Sequence, residues 1–168
     1  EELGGVAASS DPAKVKQELQ IVRELYNQAK AIDVDSKAEQ LREFVDGVLA
    51  EDPDEKVLIF TEYTDTLEYL RDEVFADHDV AQVYGDLEQS RRRDEMNKFE
   101  EKANLMLATD AAQEGLNLQF AHIMVNYELP WNPNRWEQRI GRIHRYGQDK
   151  EVKVWNFQFA GTREGEIF

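Results

Sequence analysis

At 168 residues the chain has the length of one compact domain, and with 41% hydrophobic residues it can bury a sizeable core. It has no cysteine, which excludes disulfides and thiolate metal sites and suits a reducing, cytoplasmic interior. Thirty-five acidic residues against 20 basic give a net charge of −15, which by itself argues against binding nucleic acid, because phosphates are neutralised by Lys and Arg.

The charge is unevenly spread. Between Pro130 and Gln148 stand four arginines, Arg135, Arg139, Arg142 and Arg145, and a single acid, Glu137. Arg91, Arg92 and Arg93 form a second basic island. Against so acidic a background both islands are candidate contact surfaces. The acid elsewhere keeps a chain soluble, and in molar salt, where screening shortens to about 3 Å, it also ceases to repel itself. No apolar run approaches the 18 residues of a membrane span, and the N-terminus has no signal-peptide pattern, so no membrane association is expected.

In chain order, residues 1–10 read as a Gly/Ser-rich leader. From Pro12, the spacing of Val15, Leu19, Val22, Tyr26 and Ala29 predicts an amphipathic helix. Ser36 and Glu39 have the spacing of a capping box, opening a second helix with Leu41, Phe44, Val45, Val48 and Leu49 on its apolar side and Glu51-Asp52-Pro53-Asp54 at its end.

The rhythm then changes to short apolar runs alternating with helices. Strands are predicted over Lys56–Thr61, Val80–Tyr84, Asn104–Thr109, His122–Asn126 and Val152–Phe159, and helices over Thr64–Ala76, Glu88–Glu100 and Pro133–Tyr146. Val57-Leu58-Ile59-Phe60 and Leu105-Met106-Leu107-Ala108 are continuous apolar runs, the pattern of strands covered on both faces. The alternation predicts an α/β fold with a mostly parallel sheet between two helical layers, preceded by the two amphipathic helices. Ligands in such sheets gather at the carboxyl ends of the strands, here Thr61-Glu62, Tyr84-Gly85-Asp86, Thr109-Asp110 and Asn126-Tyr127-Glu128. Thr162 to Phe168 read as the first turns of a further helix, cut short. The expected division is therefore a leader and linker over 1–50 and a lobe, truncated at its end, over 51–168.

Two segments carry chemistry. In the Pro133–Tyr146 helix, Trp136, Ile140 and Ile143 repeat at i, i+4, i+7, while Gln138, Arg142 and Arg145 repeat with the same spacing about 200° around. Unpaired parallel arginines suit a polyphosphate, which guanidinium groups bind in bidentate fashion. After Thr109, the loop Asp110-Ala-Ala-Gln-Glu-Gly-Leu-Asn117 brings small residues and Gly115 to a strand end, where the backbone can approach a ligand. The three histidines, His78, His122 and His144, are too scattered for a metal site and are expected to be structural. Trp155 is expected in the core, and Trp131 either at a lobe interface or in local loop packing.

Four segments, in order, carry a family resemblance. Phe60-Thr61-Glu62-Tyr63 resembles motif IV of superfamily-two helicases and translocases, and Gln89 and Arg92 resemble the Q-x-x-R of motif IVa. Ala108 to Leu118 resembles motif V, and Gln138-Arg139-Ile140-Gly141-Arg142-Ile143-His144-Arg145-Tyr146-Gly147-Gln148 resembles motif VI. Leu129-Pro130-Trp131-Asn132-Pro133 followed by motif VI resembles the Swi/Snf-like group, in particular its prokaryotic members of the RNA-polymerase-recycling kind. Gly141 stands where chromatin remodellers usually have Asp, which points away from a nucleosome remodeller.

The resemblance implies a C-terminal RecA-like lobe. In it Arg142 and Arg145 would be arginine fingers on ATP and Mg²⁺ held mainly by an N-terminal lobe of the same parent chain, with Gln138 positioning phosphate or water. Glu114, Gly115 and Asn117 would line the nucleotide. Asn117 replaces the Asp of many relatives. Thr61, Gln89, Arg92 and Thr109 would contact a double-stranded nucleic acid, DNA in the main expectation, and a protein–nucleic-acid complex would be a remodelling target. The sequence contains neither G-x-x-x-x-G-K-[ST] nor D-E-x-H, so the chain alone is expected to be inactive as an ATPase. A strand-separating helicase lobe and a non-catalytic scaffold module are the competing readings.

Overall fold

The computed structural model describes residues 12–30, 35–112 and 118–158. The expected leader, Glu114, Gly115 and Asn117 of the motif V loop, and the Thr162–Phe168 segment lie outside the described residues.

Two units are distinguished, divided after Asp35. The first contains α1 (Pro12–Lys30), the amphipathic helix that the four-three spacing predicts. The second begins with α2 (Ser36–Glu51) and continues through β1 (Val57–Thr61), α3 (Thr64–Tyr69, extended by a wider π-turn over Leu70–Val74), β2 (Val80–Val83), α4 (Gln89–Glu101), β3 (Leu105–Thr109), β4 (Ile123–Asn126), α5 (Pro133–Ile143) and β5 (Lys153–Asn156). No helix among the described residues is long and apolar enough to cross a membrane.

The five strands form one parallel sheet in the order β2-β3-β1-β4-β5. Because side chains alternate across a strand, the run Val57 to Phe60 divides between the two faces. Leu58 and Phe60 join Met106, Ala108 and Met124 in a core shared with Phe99 of α4 and Ile143 of α5. Val57 and Ile59 join Leu105, Leu107 and Val125 under Leu41 and Val45 of α2 and Leu67 of α3. The result is the three-layer α/β architecture the apolar runs imply, with the three inner strands β3, β1 and β4 buried along their whole length.

Two rings and one guanidinium fasten the outer elements. Phe44 of α2 lies 4.9 Å from Trp155 of β5, so Trp155 is a packing residue. Arg42 of α2 donates to the Val74 carbonyl at 2.6 Å and pairs with Asp46 and Asp77. These contacts hold Asp77 down to about 2, first through its hydrogen bond from Arg42 and then through His78. His78 stands between Asp77 and Asp46, at 3.1 and 3.2 Å.

The predicted helix from Pro133 to Tyr146 is shorter than its pattern. Pro133 at the first position and Asn132, whose side chain accepts from the Asn134 amide at 3.0 Å, fix its start. It ends at Ile143, because His144 leaves the helical region (φ −90, ψ 85) and Gly147 turns the chain at φ 98. The last strand contracts likewise, from Val152–Phe159 to Lys153–Asn156.

Candidate ATP and nucleic-acid interfaces

The carboxyl edge of the sheet is a buried polar assembly. β1 and β3 run in register, Thr61 beside Thr109, so both motif threonines end adjacent strands. Glu128, just past β4, gathers the end of β1: its carboxylate accepts from the Thr61 hydroxyl at 2.6 Å, from the Glu62 amide at 2.8 Å and from the Thr66 hydroxyl at 3.3 Å. Thr61 is 0% exposed and its hydroxyl is committed to this contact. The Thr109 hydroxyl is buried and has no hydrogen-bond partner among the described residues. Burial in this corner, reinforced by the Asp110 charge, raises the Glu62 carboxyl above its ordinary range.

Arg139 is the centre of the same assembly. Its side chain is fully buried, with Nε donating to Asp110 at 2.6 Å and Nη1 to the Asn126 side chain at 2.9 Å and the Glu128 carbonyl at 2.8 Å. Its guanidinium lies over the Phe60 ring, 5.1 Å from the centroid. Asn126 in turn donates to Asn156 at 2.8 Å, so the ends of β3, β4, β5 and helix α5 are joined. The arginine island of motif VI is therefore not one surface. Arg139 belongs to the interior, and Arg135, 3.7 Å from Asp110, leans toward it from outside. Periodicity carried this signal: Arg139 is three residues after Trp136 and four before Ile143, on the apolar side of the helix. An arginine there requires an internal acid, which Asp110 supplies.

Gln89 and Arg92 open α4 at this same edge, after β2. Gln89 is exposed and Arg92 half-buried, with Arg91 and Arg93 exposed on either side. A close approach brings this loop to the motif V turn: a Cβ on Gly85 would stand 2.9 Å from the Ala111 Cβ, which only glycine avoids.

Arg142 and Arg145 lie elsewhere. From β4, α5 runs back along the sheet toward the amino edge, and its last turn is recorded in two bonds: the Leu118 amide donates to the Arg142 carbonyl at 3.2 Å, and His144 donates to Ile140 at 2.9 Å. Arg142 is half-buried, its Nε without an acceptor among the described residues, and Arg145 is exposed on the turn beyond the helix. Gln138 is exposed on the helix itself. The Gln138/Arg142/Arg145 row is thus helical only for its first two members. Thr61, Gln89, Arg92 and Thr109 thus stand together at the carboxyl edge, and the two arginines form a second location.

Below the amino edge, His122 and Glu55 are both buried, 3.2 Å apart, with Lys150 3.3 Å from the other Glu55 oxygen. Burial lowers the His122 pKa, the Glu55 charge opposing it. His122 is thus packed beside Glu55, its Nδ1 without a hydrogen-bond partner among the described residues, and His78 stands between two aspartates. On the surface, Trp131 stays 65% exposed. Beside it, Trp136 with Leu129, Pro130 and Pro133 lines a cavity of about 400 Å³.

Residues 36–147 match the family described as helicase conserved C-terminal domain. The chain belongs to that family. It is 37% identical over 145 residues to the uncharacterized ATP-dependent helicase YqhH of Bacillus subtilis, covering 85% of this chain and 25% of that protein. It is 33% identical over 164 residues to the SNF2 domain-containing protein CLASSY 3 of Arabidopsis thaliana, covering 89% of this chain and 12% of that protein. Among solved structures, the C-terminal part of the Fun30 ATPase domain superposes with a TM-score of 0.72 at 22% identity, over 91% of this chain and 52% of that one. The lobe is therefore RecA-like, of the Swi/Snf-like branch of superfamily two. It spans a quarter of the first relative and about an eighth of the second.

Proposed function

We propose that this lobe is the second half of the motor of an ATP-dependent nucleic-acid translocase, supplying arginine fingers and part of the track. The observation that carries the reading is the pair Arg142 and Arg145. In a chain of net charge −15, neither has a carboxylate partner among the described residues, whereas Arg135 and Arg139 of the same segment share Asp110. A guanidinium left unpaired in such surroundings is fit for an anion brought from outside, and a triphosphate presents bidentate oxygens to it.

A partner lobe would hold ATP with Mg²⁺, which would supply the phosphoanhydride and part of the charge neutralisation. Arg142 and Arg145 would neutralise charge spreading over the γ-phosphoryl oxygens, and Gln138 on the same helix would orient the phosphate or the attacking water. Glu114, Gly115 and Asn117 are assigned to the nucleotide side by their place in motif V. The metal is assigned to the other lobe by the same resemblance.

At the carboxyl edge, Gln89 and Arg92 at the start of α4 would follow the backbone of a duplex, DNA in this proposal, while Thr61 and Thr109, expected from the sequence to touch it, are buried at adjacent strand ends and would shape the edge from beneath. The interior network of Arg139, Asp110 and Glu128 joins the strand ends that carry the track to the helix that carries the fingers. Closure of the lobes over ATP would then move track and fingers as one body.

The test joins this chain to an N-terminal lobe with a phosphate-binding loop and measures duplex-stimulated ATP hydrolysis. Arg145→Ala is expected to lower kcat by about 10³-fold or more, the range of an arginine finger, or roughly 4 kcal/mol of barrier. A wild-type rate in that variant overturns the assignment and leaves the scaffold reading in its place.

A further inference from the structure

The turn after α5 carries Arg145 and Tyr146, both exposed, and one half-buried side-chain amide holds it from behind. Gln148 Nε2 donates to the carbonyls of Gln119 at 2.8 Å, Ala121 at 3.0 Å and Ile143 at 3.3 Å, while its Oε1 accepts from the Lys150 amide at 3.0 Å. An amide has two N–H donors, so both are used and one is shared. The three carbonyls come from two stretches: Gln119 and Ala121 lead from the motif V loop into β4, and Ile143 ends α5. The backbone of the turn is closed by the Gln148 amide donating to the Arg145 carbonyl at 3.0 Å. Gly147 takes φ 98 there, and a Cβ on it would stand 3.3 Å from Gln119 Oε1. These bonds, at about 0.5–1.5 kcal/mol each, offset the roughly 1.5–2 kcal/mol of rotamer entropy that fixing a glutamine costs, so the side chain is held in one place.

We infer that Gln148 is a positioning residue for the arginine turn: it locks residues 143–148 to the stretch leaving motif V, so that Arg145 meets the phosphate in one place. It touches no substrate itself. Arg145 lies outside the helix, so no helical hydrogen-bond ladder fixes it, and the amide of Gln148 takes over that task. The inference rests on Arg145 being the finger. Its consequence is kinetic, because a misplacement of about 1 Å costs on the order of 10²-fold in rate.

Two measurements test it. Gln148→Met keeps length and volume and removes every donor; Gln148→Glu keeps the acceptor for Lys150 and also removes the donors. In the chain joined to a phosphate-binding lobe, either variant is expected to lower kcat for ATP about 10- to 100-fold with the ATP KM within about twofold. In an Arg145→Ala background the same substitution is expected to have no further effect, since there is no finger left to place. Hydrogen exchange of the amides of residues 144–148 is expected to quicken while α5 stays protected. An unchanged kcat, an equal loss with and without Arg145, or unchanged exchange in the turn each overturns the inference. If Arg145→Ala alone keeps the wild-type rate, the finger assignment fails and takes the kinetic half with it, whereas quickened exchange would still show Gln148 bracing the turn.

Discussion

Removing the Arg139 guanidinium leaves Asp110, itself nearly buried, without its 2.6 Å partner and strips donors from Asn126 and the Glu128 carbonyl. Breaking a buried pair on one side costs about 3–5 kcal/mol, because the surviving charge stays out of water. Arg135, 3.7 Å away, softens this only in part. Arg139→Met is therefore expected to lower the unfolding free energy of the lobe by about 3 kcal/mol in urea titration, while Arg145→Ala, on the exposed turn, shifts it by no more than about 0.5 kcal/mol. A small effect of Arg139→Met would contradict the role given to this network. At this scale the residue types were legible in the sequence, and their surroundings were not. Four arginines in a row of positions look alike until a fold separates the one facing Phe60 from those facing water. Thr61 shows the same limit, since its bond to Glu128 spans 67 positions and leaves no local pattern.

The helix α5 combines a strong pattern with an early end. Its pattern is carried by Ile140 and Ile143 against the sheet and by Asn132 and Pro133 at the start, all of them local features that read directly from sequence. Its end is decided by Gly147 and by the carbonyls that capture Gln148, contacts made with residues 119–121, which no local spacing reveals. Gly141 in its middle has nothing within 4 Å of where a Cβ would lie. A glycine costs about 0.8–1 kcal/mol relative to alanine inside a helix, and here no neighbouring atom requires it. Gly141→Ala is expected to stabilise the lobe by about 0.5–1 kcal/mol, read as a higher urea midpoint at unchanged slope. Destabilisation instead would mean that this part of α5 is more crowded than its surroundings indicate.

For the molecule as a whole, the parallel sheet and its layers followed from the alternation of apolar runs with helices, since continuous runs such as Val57–Phe60 demand cover on both faces, whereas the strand order has no local signal. The net charge of −15 averages over two basic islands, and the fold divides one of them again by burying Arg139. In the proposal the track lies at the carboxyl edge, beside the buried polar network, and the fingers lie at the far end of α5, Arg142 in its last turn and Arg145 just beyond it. Because the sequence has no phosphate-binding loop, the proposed site is divided between this lobe and another. The most direct measurement is ATP hydrolysis, with and without duplex DNA, by this chain alone, by a phosphate-loop lobe alone, and by the two joined. The account predicts negligible turnover for either half and DNA-stimulated turnover only for the joined pair. Hydrolysis by this chain alone, or none by a folded, nucleotide-binding joined pair, would contradict it.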